Sequence, residues 1–198
     1  MDKTYADTVR LLLAVAPDVF ANDIFAMKGG TAINLFVRDM PRLSVDIDVV
    51  YLPWQTPRDE ALQAINQELA AIATRVAPLG VQTRLVRAKD LGDTKLIVEN
   101  DASQVKIEVN VVFRGSVLPV ERRPLSAKTS DLFGVEFELP VLAPDELYAS
   151  KLVAALDRQH PRDLFDVWQL YESGDISNGM VECFVIYLAG HNRPPHEV

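Results

Sequence analysis

The sequence predicts an α+β fold in which a mixed β-sheet with flanking helices is followed by a small helical domain. Strand-like and helical segments alternate up to about residue 142, whereas three helical patterns follow one another after it. Of the 198 residues, 48% are hydrophobic and 24% are charged, which is typical of a folded globular protein. We therefore expect a sheet domain over residues 1–142 and a helical domain over residues 143–198.

Apolar periodicity and turn residues define the elements of the sheet domain. The predicted helices are residues 4–16, a short helix after Gly30, and residues 57–77. The predicted strands are residues 24–27, 45–52, 81–86, 95–99, 104–113 and 134–141. We expect Pro17 to close the first helix and Thr31 to cap the short one.

The helical domain is predicted from three amphipathic segments, residues 144–156, 162–172 and 177–189. Trp54 and Trp168 are interpreted as packing residues. The chain ends after a proline pair and an acidic residue, which is typical of the start of another helix and leaves open a longer natural protein.

Charge and cysteine content restrict the class of protein. A formal net charge of -8 argues against a surface that coats nucleic acid everywhere, so an RNA partner would need a local basic patch. The single cysteine, Cys183, has apolar neighbours and indicates a buried thiol in a reducing, cytoplasmic environment. No segment approaches the roughly 20 apolar residues that span a bilayer, so we expect no membrane partner.

Three groups of cations are candidate RNA patches, although each group alone is more typical of a solvated face. They are Arg84 with Arg87 and Lys89, then Arg114, Arg122, Arg123 and Lys128, then Arg158 and Arg162.

Asp46 and Asp48 are the strongest indication of chemistry. Acids alternate with aliphatic residues there, so both carboxylates lie on one face of a strand and can share Mg²⁺. Two like charges at this distance repel each other when no cation is present. Glu108, on the polar face of a later strand, is the best candidate for a third carboxylate, but a solvent-facing cross-strand pair with Lys106 nearby is equally compatible.

The segment Gly29-Gly30-Thr31 precedes a predicted helix and offers backbone N–H groups to an anion. A tight turn would also explain the two glycines. An apolar strand, Gly-Gly-Thr, a helix and a strand with Asp-x-Asp together resemble the polymerase-beta-like nucleotidyltransferases.

Longer segments resemble one family within that superfamily, the AbiEii/AbiGii toxin nucleotidyltransferases. They are Met27-Lys-Gly-Gly-Thr-Ala-Ile-Asn-Leu, Arg42-Leu-Ser-Val-Asp-Ile-Asp-Val, and the helical segments Asp145 to Arg158 and Pro161 to Val167. The resemblance implies a polymerase-beta-like sheet domain and a Mg²⁺- or Mn²⁺-dependent transfer of a nucleoside monophosphate from a nucleoside triphosphate. The implied acceptor is the end of a transfer RNA, and the implied setting is a toxin-antitoxin or phage-defence system with an antitoxin protein as partner.

The resemblance also implies roles for individual residues. Nucleotide binding falls to Lys28, Gly29, Gly30, Thr31, Ser44 and Lys151, metal binding to Asp46 and Asp48 with Glu108, and completion of the site to Asp163 or Asp166. The alternatives are a Lys151 that only extends to solvent from an apolar stripe, an Asp163 that only favours its helix dipole, and an Asp166 that bonds a loop. At the level of function, the alternatives are transfer to a protein or small molecule, and a binding module without chemistry.

Overall fold

A computed structural model of the protein describes residues 2–88, 92–174, 176–191 and 193–197. Lys89 of the first candidate patch lies outside these residues. The helices are α1 (Lys3–Val19), α2 (Gly29–Ala32), α3 (Arg58–Val76), α4 (Ala127–Phe133), α5 (Pro144–Arg158), α6 (Pro161–Ser173) and α7 (Asn178–Ala189). The strands are β1 (Phe25–Lys28), β2 (Ile47–Tyr51), β3 (Gln82–Ala88), β4 (Gly92–Glu99), β5 (Gln104–Asn110), β6 (Glu121–Pro124) and β7 (Glu138–Val141).

The seven strands form one mixed sheet in the order β3-β4-β5-β2-β1-β7-β6. Strand β2 is parallel to β5 and antiparallel to β1, and β1 is parallel to β7. The outer pairs β3-β4, β4-β5 and β6-β7 are antiparallel. The predicted mixed sheet with flanking helices is therefore confirmed.

The core lies between the sheet and helices α1 and α3. In β5, the side chains alternate between the buried Val105, Ile107 and Val109 and the outward-facing polar residues between them. The same apolar cluster continues into the helical half through Leu147 of α5 and Cys183 of α7. Residue 142, the predicted domain boundary, falls between β7 and α5. No helix in the described part of the chain has the length and apolar character needed to cross a bilayer.

Two local expectations about proline and threonine are wrong. Helix α1 continues through Pro17 to Val19, because the proline lacks only its own amide bond and Phe20 N still donates to Ala16 O. Thr31 does not cap the short helix, since α2 begins at Gly29 and Thr31 lies inside it.

The region before α5 also differs from the prediction. The sequence predicts a strand over residues 134–141, but Gly134 ends α4 in a left-handed conformation (φ 66°), and only Glu138–Val141 forms β7. Trp54 and Trp168 are not core residues, because they are 62% and 53% exposed.

Candidate active site

Charged side chains form one row across neighbouring strands of the sheet. Asp48 of β2 is in register with Lys28 of β1 on one side and with Glu108 of β5 on the other. Glu108 is in turn in register with Lys95 of β4, and their side chains form an ion pair of 2.9 Å. Directly opposed residues share a face of a sheet, so these four side chains lie in one row, with the two carboxylates flanked by a lysine on each side.

Asp46 lies one residue before β2 and faces the same cleft as Asp48 and Glu108. This carboxylate cleft has a volume of about 280 Å³. It is lined by Gly30, Arg42, Ser44, Asp46, Asp48, Glu108, Lys151, Arg158, His160, Arg162 and Asp163.

The electrostatics of Asp48 reflect its crowded surroundings. Burial raises the pKa of the Asp48 carboxyl to about 6; Lys28 opposes this shift, while the negative charges of Asp46 and Glu108 add to it. Burial likewise lowers the pKa of the Lys28 ammonium, although Asp48 and Glu146 act against that change. An additional positive charge beside Asp48 would therefore favour its ionised carboxylate.

The oxygen donors of Asp46 and Asp48 fit a hard divalent cation such as Mg²⁺, which proteins hold through one or two carboxylates together with substrate phosphates. Glu108 is close in register, but its carboxylate is paired with Lys95 rather than with the Lys106 considered above. Within the described residues, no group of three or more His, Cys, Asp or Glu side chains is placed to hold a metal ion.

The two glycines are required by close contacts. Gly29 has a positive φ of 76°, and a Cβ atom on it would overlap the Asp48 Oδ2 atom. A Cβ atom on Gly30 would overlap the Arg42 Nη2 atom and lie 3.1 Å from the Ser44 Oγ atom. The Gly-Gly turn thus lets the backbone approach both the carboxylate and the guanidinium group.

The hydroxyl groups of Thr31 and Ser44 hold this turn against the loop that precedes β2. Their oxygen atoms are 2.9 Å apart, and Thr31 is only 1% exposed. Thr31 lines neither the carboxylate cleft nor the inner cleft described below, so its contact to the site is through Ser44.

Helices α5 and α6 contribute a network of charges in which Lys151, Asp163 and Asp166 are buried. The Lys151 Nζ atom lies 3.0 Å from Asp163 Oδ1 and 3.2 Å from Asp166 Oδ2. Arg42 donates two hydrogen bonds to Asp166, of 2.6 and 2.7 Å, and Arg158 lies 2.9 Å from Asp163. Lys151 is only 7% exposed, so the alternative in which it merely extends to solvent is wrong.

The ionisation of Asp163 follows from this network. Burial opposes its ionisation, but the hydrogen bond and charge of Lys151, together with the charge of Arg158, hold the pKa of the carboxyl below its usual value. Asp166 is bonded by a loop residue, Arg42, as the alternative reading proposed, and its oxygen atoms do not line the carboxylate cleft.

A second cavity, the inner cleft, adjoins the carboxylate cleft and has a volume of about 370 Å³. The two clefts share Gly30, Asp48, Lys151 and Arg158. The remaining walls combine apolar and polar residues, namely Lys28, Gly29, Asn110, Val112, Phe113, Ser150, Val153, Ala154, Asp157, Tyr187, Gly190 and His191.

One wall of the inner cleft is fixed by Glu146, which the sequence analysis did not single out. This fully buried carboxylate accepts hydrogen bonds from the backbone N–H groups of Val117 and Leu118 and from the Tyr187 hydroxyl. The Tyr187 ring stacks on Phe113 at 4.2 Å. An acid in the first turn of a helix is common, so the sequence alone offered no signal for this role.

The positions of Arg42 and Arg158 in the charge network were not predicted from the sequence. Both residues lie inside the segments that carry the family resemblance; Arg42 has no predicted role, and Arg158 is predicted only as part of a candidate RNA patch. Of the predicted site residues, the two clefts bring together Lys28, Gly29, Gly30, Ser44, Asp46, Asp48, Glu108, Lys151 and Asp163, whereas Thr31 and Asp166 lie behind them.

Comparison with known proteins identifies the class and the family. A family model described as the nucleotidyl transferase AbiEii toxin of type IV toxin-antitoxin systems matches residues 10–198. The protein is therefore a nucleotidyltransferase. It belongs to the AbiEii nucleotidyl transferase toxin family, as the resemblance of its motifs indicated.

The fold is similar to that of a solved nucleotidyltransferase toxin. MenT4, a nucleotidyltransferase toxin from Mycobacterium tuberculosis H37Rv, has 20% sequence identity and a TM-score of 0.61, with 96% of this chain and 67% of that chain covered. The antibiotic-resistance factor ANT(2'')-Ia has 16% identity and a TM-score of 0.39, with 96% and 85% of the two chains covered. A sequence comparison with curated proteins finds no match.

Proposed function

We propose that this nucleotidyltransferase moves a nucleoside monophosphate from a nucleoside triphosphate to the end of an RNA, in a reaction that requires Mg²⁺ or Mn²⁺. The observation that supports this most is the row of Lys28, Asp48 and Glu108 across three strands, with Asp46 facing the same cleft. A transfer RNA is the acceptor that the family resemblance favours. The setting would be a type IV toxin-antitoxin system with an antitoxin protein as partner, in keeping with the matching family.

The triphosphate would bind where the two clefts meet, between the glycine turn and α5. Gly29 and Gly30 leave room for close approach to the backbone, and the Lys151 ammonium lies at this junction. Asp46 and Asp48 would hold the divalent cation, which supplies positive charge against the phosphate oxygens when bound. The nucleoside would extend into the inner cleft, whose walls combine apolar side chains such as Phe113 and Val153 with polar groups, which fix the orientation of a ligand in small-molecule sites.

The acceptor would approach from the side of Glu108. Its hydroxyl oxygen forms a bond to the α-phosphorus, the bond from that phosphorus to the bridging oxygen breaks, and pyrophosphate leaves with the bonding electron pair. Glu108 would take the hydroxyl proton. For this, either the ion pair with Lys95 opens, or one carboxylate oxygen stays paired with Lys95 while the other accepts the proton. Lys151 and Arg158 would stabilise the negative charge of the departing phosphates.

The test uses each of the four nucleoside triphosphates labelled at the α-phosphate, incubated with the protein, total RNA and Mg²⁺. We expect label from one or more of them to appear in RNA, and no label when the same nucleotide carries it at the γ-phosphate. Omitting the divalent cation, with EDTA present, should abolish the transfer. Label in protein or in a small molecule, with RNA unlabelled, would contradict the proposed acceptor.

A further inference from the structure

The row of charged residues in the site continues onto an open face of the sheet. Beyond Glu108, the face that carries the carboxylates includes Lys95 of β4, and the adjacent row aligns Lys106 of β5, Ile97 of β4 and Arg84 of β3. Residues of a strand that are two apart share a face and are about 7 Å apart, and neighbouring strands are about 4.8 Å apart. Lys106 therefore lies about 7 Å from Glu108 along β5, and Arg84 lies about 10 Å further across the sheet.

The two outer cations are available to a partner. Arg84 and Lys106 are both exposed, and they flank Ile97, which is only 8% exposed, as expected when long basic stems cover an apolar residue. Within the described part of the chain, neither residue forms an ion pair. The nearby acid on this face, Glu99, accepts a hydrogen bond from Gln104 instead.

The other elements leave this face uncovered. Helices α1 and α3 pack against β5, β4 and β3 through the buried side chains of those strands, which are on the opposite face. Helix α5 packs on α2, on the β1 side of the carboxylates. The outer three strands therefore present their polar face to solvent directly beside Glu108.

We infer that this basic sheet face, defined as Arg84, Lys95 and Lys106, binds the phosphate backbone of a single-stranded RNA end and directs its terminal hydroxyl to Glu108. The inference rests on the proposed RNA acceptor. Its physical basis is charge complementarity in a chain of net charge -8, where an anionic strand needs a local group of cations. The nucleoside triphosphate occupies the opposite side of Asp48, so the two substrates meet at the carboxylates.

The test is a double variant, Arg84→Gln with Lys106→Gln, which removes two charges without touching the clefts. The matched control is Lys3→Gln with Arg58→Gln, which removes two exposed charges at the starts of α1 and α3. We expect the KM for RNA to rise roughly tenfold in the double variant, as for two exposed charge contacts, with an unchanged KM for the nucleotide. The slope of log KM for RNA against log salt concentration should fall by about 0.7 for each lost phosphate contact.

A second readout separates this inference from the proposed function. Binding of a fluorescent single-stranded oligoribonucleotide, measured without nucleotide, should weaken in the double variant and stay unchanged in the control. If the double variant and the control have the same KM for RNA, salt slope and oligonucleotide affinity, the basic sheet face does not bind RNA. The proposed transfer to RNA is then unaffected. If the wild-type protein labels protein instead of RNA and binds no oligonucleotide, both the proposed acceptor and the basic sheet face are overturned.

Discussion

The ionised carboxylate of Asp48 lowers the stability of the folded protein. Its carboxyl pKa is raised from 3.8 to about 6 in the folded protein, chiefly by burial, so ionisation is easier in the unfolded chain. Below pH 4 the group is protonated in both states and has no effect on stability. Between pH 4 and pH 6 only the unfolded chain releases the proton, so the free energy of unfolding falls as pH rises, by up to about 3 kcal/mol.

The variant Asp48→Asn should therefore be more stable than the wild-type protein at pH 7 and lose this advantage near pH 4. Urea unfolding in EDTA at a series of pH values measures the difference. Asp59→Asn, at the exposed start of α3, is the control and should show no such trend. If Asp48→Asn were more stable than the wild-type protein by the same amount at pH 4 and pH 7, the raised pKa of the Asp48 carboxyl would be contradicted.

Lys151 is a second residue whose loss should be felt in stability as well as in nucleotide binding. Its ammonium touches both Asp163 and Asp166, and all three side chains are buried. Lys151→Met should lower the free energy of unfolding by roughly 3 kcal/mol, because it leaves two buried acids with fewer cations. Adding Asp163→Asn to the same chain should recover part of that loss, since one unpaired charge disappears.

Lys3→Met, an exposed lysine at the start of α1, should change the unfolding free energy by less than about 0.5 kcal/mol. Urea unfolding of the single and double variants provides the measurement. If Lys151→Met behaves like Lys3→Met, or if Asp163→Asn adds a full independent loss, the charge network does not exist as described.

The carboxylates on the sheet could be predicted from the sequence, whereas the pairings between charged side chains could not. The alternation of acids and aliphatic residues predicts that Asp46 and Asp48 share one face of a strand, because this pattern is local in the sequence. The bond from Arg42 to Asp166 joins residues 124 positions apart, and no spacing rule relates them. Likewise, the pairing of Glu108 with Lys95 depends on the register of β4 and β5, which the alternation of β5 alone does not define.

At the scale of elements, the long periodic segments were predictable, whereas two short elements, β6 and α4, were not. Helices α3, α5, α6 and α7 begin and end within about two residues of the sequence prediction. Strand β6, with the sequence Glu-Arg-Arg-Pro, has no apolar alternation and exists because it pairs with β7. Helix α4 is only seven residues long and is defined by its caps, Ser126 and Gly134.

The loop before β6 is held to the helical half by Glu146, which suggests a test at this scale. Glu146→Gln replaces one acceptor oxygen by an NH₂ group, so a backbone N–H of Val117 or Leu118 faces another donor. We expect a loss of about 1–3 kcal/mol in unfolding free energy. In the variant, hydrogen exchange of the Val117 and Leu118 amides should speed up more, relative to the wild-type protein, than exchange of the amides in β5.

Glu60→Gln, an exposed acid in the first turn of α3, is the control for this experiment. It should leave both the unfolding free energy and the exchange of the loop amides nearly unchanged. Unaltered protection of Val117 and Leu118 in Glu146→Gln would mean that the loop is fixed by other contacts.

At the scale of the whole molecule, the chain combines a net charge of -8 with a concentration of cations around the two adjoining clefts. Lys28, Arg42, Lys151 and Arg158 converge there from β1, the loop before β2 and α5. A nucleoside triphosphate with its cation would insert into this arrangement and contact both the sheet and the helical half. Nucleotide binding should therefore stabilise the whole chain, by about 2.7 kcal/mol at a hundredfold excess over Kd.

The carboxylate pair is the centre of this account, and the transfer of α-labelled nucleotide to RNA by Asp46→Asn and Asp48→Asn tests it most directly. Each substitution removes a negative charge with almost no change of volume, so the circular dichroism spectrum should be that of the wild-type protein. The account predicts that each variant loses at least about a hundredfold in transfer rate, because the cation would lose a ligand. Asp59→Asn should retain the full rate. Transfer by Asp46→Asn or Asp48→Asn at the wild-type rate would contradict the assignment of the two carboxylates to the active site.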